Sequence, residues 1–447
     1  MKKIPLLISC FNLLSITVFA QIRTDSLPET VNLNQAIDFA LRNQPVVRQA
    51  SIDEQINERD IRIGLAGWLP QVTGTGNVQH YFKGSPVAGA AGGGLPGGTN
   101  SGDISNLSTL GLQANQVLYN NDVFLAARAA RYSRQYYKEN VVSSQINVVA
   151  DVSKAFFDVL LSQKQLNITN EDIIRLQRSL KDASSRYQAG VSDKTDYKQA
   201  TIALNNSKVT RKQTEEAIKS KLAYLKQIMG VSKAGDLTLA YDSSRYEQAA
   251  LIDTNQTLDV NNRIEYRLLQ STKSLRNLNV NYYKWGFLPS LSAFANYNLI
   301  YANKNLSNLY TNTFPNGYVG LSLSIPIFTG TRRLQNLSKA RLQEDRVDLD
   351  IINTKNSLNT EYVQALANYK TNYTAWQLVK ENVELAKDVY NVVSLQYREG
   401  VKTYLDVIVS QADLRTAQLN YYNALFQLLS SKIDFQKSLG TLTPQQN

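Results

Sequence analysis

The chain has 447 residues, a formal charge of +11, 43% apolar residues, and a single Cys and a single His. One Cys and one His exclude disulfide scaffolds, thiolate metal clusters and multi-histidine centres. The positive balance does not read as nucleic-acid binding, because Lys and Arg alternate with acids along helical stretches such as "KVTRKQTEEAIKSK", the pattern of a solvated helix face.

The opening "MKKIPLLISCFNLLSITVFA", residues 1–20, reads as a signal peptide, with basic Lys2 and Lys3, an apolar run from Ile4 and Ala20 at the cleavage point. Cys10 falls too early in that run for a lipoprotein box, with about six apolar residues before it where an apolar region needs about 7 to 15. Cleavage removes Cys10 and two Lys, which takes the charge from +11 to +9 and leaves an exported chain without a disulfide. No other stretch reaches the roughly 18 consecutive apolar residues of a transmembrane helix, so any membrane crossing must be made by strands.

Residues 21–231 read as a first structural repeat and 254–447 as a second, joined by a linker over 232–253. In chain order the first repeat predicts a helix, strands at about 69–82 and 107–119, a long helix at about 121–188 and a return helix at about 193–230. The second predicts a helix, strands at about 288–301 and 318–328, a long helix at about 330–398 and a return helix at about 403–440. The duplication is visible in matched segments: "NQPVVRQA" from Asn43 with "NRIEYRLL" from Asn262, and "WLPQVTGTGNVQHY" from Trp68 with "FLPSLSAFANYNLI" from Phe287. "LGLQANQVLYNN" from Leu110 answers "VGLSLSIPIFTG" from Val319. Both long helical stretches end in Tyr-x-x-Gly-Val, at Tyr187 and again at Tyr397. Neither contains Pro or Gly, and helices of about 65 residues extend about 100 Å, which implies an elongated coiled assembly.

The strand segments alternate. Val319, Leu321, Leu323, Ile325 and Ile327 fall on one face against Gly320, Ser322, Ser324 and Pro326. Leu291, Ala293, Ala295, Tyr297, Leu299 and Tyr301 oppose Ser290, Ser292, Asn296 and Asn298, with Phe294 as the exception, and Leu110, Leu112, Ala114 and Leu118 oppose Gly111, Gln113 and Asn115. Segments of about ten residues, apolar on one side and polar on the other, are the mark of a transmembrane β-barrel. Alternation alone also fits a half-buried soluble sheet. The aromatics Trp68, Tyr119, Phe287 and Phe328 at the helix-side strand ends point to a membrane interface, and the long Gly-rich and polar loops at the other ends read as external. Four strands cannot close a barrel, and an open edge is not tolerated in lipid, so copies must combine. Three would give twelve strands around a lumen, making a homotrimer the simplest closed arrangement.

Enzyme signatures are absent. Gly92, Gly94 and Gly97 fit G-x-G-x-x-G, but Pro96 interrupts them and no strand-to-helix context surrounds them. His80 lies in a predicted strand, the carboxylates read as ordinary surface charge, and no cofactor or metal site is expected. A closed, polar-lined barrel continuous with a helical tube would conduct solutes, and the two reversals at the far helix ends would ring its mouth.

At this point the sequence resembles the TolC family of outer-membrane efflux proteins. The resemblance rests on the duplicated halves, the strand pairs after "LP", and the reversals "RYQAGVSDKTDY" and "YREGVKTYLDVI", each followed by "LKQIMG" or "KSLGTL". It implies an α+β membrane fold: a trimer with four strands per subunit in a shared twelve-stranded barrel, continuous with a long periplasmic α-helical barrel, the 232–253 linker lying at its equator. It also implies a duct that exports drugs, other small molecules or proteins, working with a periplasmic adaptor and an inner-membrane pump of the resistance-nodulation-division or ABC type. By motif position, the entrance gate falls on Tyr397 and Lys402, bonded to Asp196 and Thr195, with Asp406 at the constriction. Lys402 stands where the family's best-known member has an Arg, and Val409 where it has a second Asp, which weakens one link and leaves one acidic ring. Asp196 and Asp406 also suit helix N-termini as such. Gly190, Val191, Gly400 and Val401 are the adaptor-docking positions by resemblance. The alternatives are a duct for type I protein secretion and, in another class, a secreted long-helix scaffold.

Overall fold

The computed structural model describes residues 30–83, 104–190, 193–231, 237–240 and 243–444. The proposed signal peptide with Cys10, the loop carrying Gly92, Gly94 and Gly97, and the tip residue Val191 lie outside the described residues.

The chain begins with β1 (Thr30–Val31), α1 (Leu33–Asn43) and α2 (Pro45–Ala66), followed by β2 (Gln71–His80) and β3 (Asn106–Tyr119). Next come α3 (Asn121–Gln188) and α4 (Lys194–Met229), then β4 (Thr238–Leu239) and α5 (Ser243–Ala249) within the linker region. The second half runs α6 (Ile264–Trp285), β5 (Ser290–Asn303), β6 (Thr313–Ser324), α7 (Arg332–Arg398) and α8 (Tyr404–Leu439). Helix, two strands, long helix and return helix thus recur in the same order.

The long helices hold because Gly and Pro are kept to their ends and the ends are capped. Asn120 accepts from the Asp122 amide at 2.9 Å to open α3. Gly230 closes α4 at φ +74° and Gly440 closes α8 at the same angle. Both positions require glycine twice over. A Cβ at Gly230 would stand 2.6 Å from the Asn43 carbonyl oxygen, and one at Gly440 would stand 2.8 Å from that of Asn262. Asn43 and Asn262 are the matched residues of the two repeats, so each return helix ends against the start of the barrel-side helix of its own half.

The buried residues of α7 mark one packing seam along it. Ala340, Val347, Ile351, Leu358, Ala365, Tyr369 and Trp376 recur at intervals of seven and four, the seam of a coiled coil. A second set on α7, including Leu342, Leu349, Leu385 and Val392, is more than half exposed in the single subunit. A helix in a closed cylinder has two neighbours and needs two seams. α2 and α6 pack along the barrel-side halves of the long helices, and α4 and α8 along the far halves.

The main core lies where these halves meet. Phe156, Leu160, Leu425, Leu428 and Phe435 are fully buried there, each side chain contributing about 1.5–3 kcal/mol. α1 and the short parallel pair β1–β4 cover this belt, with Thr30 opposite Thr238.

The four long strands form one antiparallel sheet in the order β2-β3-β5-β6, which leaves β2 and β6 as unpaired edges. β6 starts at Thr313 and stops at Ser324, whereas the alternation suggested 318–328. The early part, "TFPNG", carries Pro315 and Gly317, which hide a strand from pattern reading; an edge strand accommodates Pro because one side of its ladder is free. Pro326 ends the pairing, so Ile327 and Phe328 lie beyond the strand.

Candidate functional site: the strand sheet and the helical tips

The pairing register assigns the two faces of the sheet. Leu110, Leu112 and Ala114 stand opposite Leu299, Tyr297 and Ala295, and Ala295, Ala293 and Leu291 stand opposite Val319, Leu321 and Leu323. Val72, Gly74 and Gly76 complete that apolar face on β2. The other face carries Thr73, Thr75, Asn77, Thr109, Gln113, Asn115, Asn296 and Asn298, and among the described residues no Asp, Glu, Lys or Arg on any of the four strands. With no helix among the described residues long and apolar enough to cross a membrane, the apolar face is the surface suited to lipid.

One irregularity corrects the sequence reading. The alternation put Leu118 with Leu110, Leu112 and Ala114, but a bulge between Val117 and Tyr119 leaves Leu118 unpaired and sets Tyr119 opposite Leu291. The extra residue reverses the side-chain parity, so Tyr119 joins the apolar face that it would otherwise turn away from. Tyr119 and Phe287 are partly exposed at the helix-side end, Phe328 is 88% exposed beyond β6, and the Trp68 carbonyl accepts a hydrogen bond from Gln116. A second aromatic group at the opposite end was missed. Tyr301 and Tyr310 pack edge to face at 5.0 Å, and His80 and Phe82 do likewise, with His80 Nδ1 2.7 Å from Asn106 Oδ1. From Leu291 to Tyr301 the strand rises about 33 Å, or about 25 Å across a membrane at a tilt of about 40°, the height of a barrel's apolar band. The missing signal was three-dimensional, since Tyr310 belongs to a loop that folds back beside the strand.

At the other end of the molecule the reversals are built alike. Gly190 at φ +71° follows α3 and Gly400 at φ +77° follows α7, each with no atom within 4 Å of a notional Cβ. Asp193 caps α4, accepting from the Thr195 amide at 3.1 Å and from the Thr195 hydroxyl at 3.2 Å. Thr403 and Asp406 form a capping box on α8: the Thr403 amide donates to Asp406 Oδ2 at 2.9 Å, and the Asp406 amide to Thr403 Oγ1 at 3.3 Å. These bonds from Thr403, helped by nearby Lys402, hold the Asp406 carboxyl below its usual range.

Between the tips sits a small cluster of Ala183, Ala200 and Tyr404 with Tyr397 against it, one residue from each of the four helices. The Tyr397 and Tyr404 rings are 5.8 Å apart, and both hydroxyl oxygens are buried without a hydrogen-bond partner. Burial raises the Tyr397 pKa against the opposing Arg186 charge, with the Asp196 charge adding to the rise, and burial raises that of Tyr404 still more. Arg186, on the last turn of α3, places its guanidinium 4.6 Å from the centre of the Tyr397 ring and donates to the Arg398 carbonyl at 3.3 Å.

The structure therefore brings Tyr397 and Asp196 into one neighbourhood but, within a subunit, forms neither link expected from the resemblance. The Tyr397 hydroxyl has no hydrogen bond, and the Thr195 hydroxyl is turned to Asp193. Asp406 is occupied in its capping box, and Val401 is 72% exposed. Arg186 and Tyr404 were not found from sequence; an Arg two residues before Gln188 reads as an ordinary helix C-terminal cation.

The expectation that the carboxylates are surface charge is corrected at two positions on α3. Glu139 is 2% exposed and accepts from Ser271 at 2.9 Å and pairs with Arg267 at 3.2 Å, both on α6. Asp172 is also 2% exposed; it accepts from Ser207 of α4 at 2.8 Å and from Gln411 and Arg415 of α8 at 2.8 and 3.2 Å.

This architecture, a two-faced sheet with open edges carried on paired helices of about 100 Å, is that of a membrane channel subunit. The chain matches the outer membrane efflux protein family over residues 36–231 and 273–441 and belongs to it. It is 21% identical to the outer membrane protein TolC of Vibrio cholerae over 76% of this chain and 78% of that one. It is 23% identical to the toluene efflux pump outer membrane protein TtgC of Pseudomonas putida, over 91% and 82%. The crystal structure of the outer membrane protein VceC from Vibrio cholerae superposes with a TM-score of 0.70 at 17% identity, covering 91% of this chain and 96% of that one. The fold is thus the α+β fold of the outer-membrane channels: a trimer sharing a twelve-stranded barrel, four strands from each subunit, continuous with a helical barrel. The protein is an outer-membrane protein that extends into the periplasm.

Proposed function

We propose that this protein is the outer-membrane duct of a tripartite exporter, passing drugs or other small molecules from an inner-membrane pump and periplasmic adaptor to the exterior. The observation that carries the reading is the sheet's division into an apolar face and an uncharged polar face, which makes a neutral, water-filled conduit once the edges close. Small molecules rather than secreted proteins are favoured by the relative named for toluene efflux. The pump is of the resistance-nodulation-division or ABC type, and its adaptor docks at the helix reversals, at Gly190, Val191, Gly400 and Val401. The entrance is closed by Tyr397, Lys402, Asp196, Thr195 and Asp406. Support for a gate here comes from the two buried tyrosine hydroxyls near Asp196, which have no partner in this arrangement of the tip helices and gain one only if those helices shift.

The test is single-channel conductance of the purified trimer in planar bilayers, wild type against Tyr397→Phe plus Lys402→Ser. Small, flickering conductance that rises several-fold in the double variant is expected. Folded, inserted trimer without a channel overturns the duct; a channel indifferent to the substitutions overturns the gate.

A further inference from the structure

The inward face of the sheet is amides and hydroxyls along much of its length, and Phe294 breaks that rule. The register fixes its side: Phe294 pairs with Asn115 on β3 and Gly320 on β6, while its neighbours on the strand, Ala293 and Ala295, stand opposite Leu321 and Val319 on the apolar face. Two positions away on β6, Tyr318 lies on the same inward face opposite Asn296. The rings meet edge to face, 6.1 Å between centroids at 78°. Phe294 lies directly over Gly320, where a Cβ would come within 2.6 Å of its Cζ, so the absence of a side chain there makes its seat. Tyr318 keeps 51% of its surface exposed.

An apolar ring facing a water-filled lumen is unfavourable unless something covers it, and a phenylalanine at Phe294 serves no core. We propose that Phe294 and Tyr318 form an aromatic shelf inside the barrel that holds planar aromatic cargo during its passage. This rests on the duct reading above and narrows its substrate class. In the trimer three such pairs stand at one level, presenting six rings around the lumen. A flat aromatic compound stacks on these faces, and one carrying positive charge gains further from the ring quadrupoles. Gln113, Asn115 and Asn296 on the same face offer neutral donors and acceptors to its polar edge. With no ionised side chain on the strands, the shelf selects for aromatic surface rather than for charge, and holds cargo weakly enough to release it.

The test uses single channels of the full-length trimer in planar bilayers with ethidium, a planar aromatic cation, added on the external side, and tetraethylammonium as an aliphatic cation of equal charge. Ethidium should produce resolved blocking events in the wild type. In Phe294→Leu plus Tyr318→Leu, which keeps apolar bulk but removes the rings, their residence time should fall by about tenfold, with tetraethylammonium unaffected. Should the double variant fail to insert, Tyr318→Ser alone carries the test, with a drop of about threefold expected from losing one ring of the pair. Ethidium residence unchanged by these substitutions, or equal loss for both cations, overturns the shelf while leaving the duct. Inserted wild-type trimer that conducts nothing overturns the duct and the shelf with it.

Discussion

Replacing Asp172 by Ala tests whether the tube is held by a buried charge rather than by its seams alone. The carboxylate joins three helices: Oδ2 accepts from Ser207 on α4 and Arg415 on α8, and Oδ1 accepts from Gln411 on α8. Its side chain is 3% exposed, and Arg175 on α3 lies at 4.0 Å. Truncation takes the carboxylate acceptor from the Ser207 hydroxyl and the Gln411 amide, at about 1 kcal/mol each, and removes the counter-charge of two guanidinium groups. A broken buried pair costs about 3–5 kcal/mol, and the 37% exposure of Arg415 moves the expectation to the lower end, about 3 kcal/mol in all. Chemical denaturation of the detergent-solubilised trimer measures the loss, and a cycle with Arg415→Leu isolates the pair. Asp172 lies sixteen residues before the end of α3, about 24 Å from the tip, so Asp172→Ala should also raise resting conductance by freeing both return helices. A loss under 1 kcal/mol, or additivity of the two substitutions, would refute the node.

Three further outcomes follow from local geometry. Gly400→Ala meets no atom and should cost only the backbone strain of a positive φ, about 1 kcal/mol, whereas Gly440→Ala also runs into the Asn262 carbonyl; equal thermal midpoints for the two variants would contradict this. Deleting Leu118 removes the bulge but leaves Tyr119 directly after Val117 and still opposite Leu291 on the lipid face, so heat-modifiable inserted trimer should persist, and a sharp loss of insertion would refute this register. Asp406 has its folded pKa depressed, so its capping contribution is complete above the unfolded value of about 3.9 and is lost as pH falls through the folded one. Hydrogen exchange at the first turn of α8 should therefore show weaker protection at pH 3 than at pH 6, and Asp406→Asn should abolish that difference.

What the sequence disclosed and what it withheld divide along physical lines. The long helices were legible because Gly and Pro mark their ends and nothing between them interrupts a period of seven and four. The sheet's faces were legible because lipid and water enforce strict alternation over about ten residues. Information that depends on a third element was not. The parity change at Leu118 exists only relative to β5, since a single residue inserted in an apolar-rich strand end leaves no local mark. Asp172 and Glu139 read as two acids among many; burial comes from α4, α8 and α6, which lie far away in the chain. At the tips, the aligned motif found Tyr397 and Asp196, yet the ring packed against Tyr397 is that of Tyr404, and the cation over Tyr397 is Arg186. Each subunit leaves its outer seam on α7 uncovered, so that apolar surface is directed at the next copy. Closure of the tube and closure of the barrel are then the same event, the joining of incomplete surfaces around one three-fold axis.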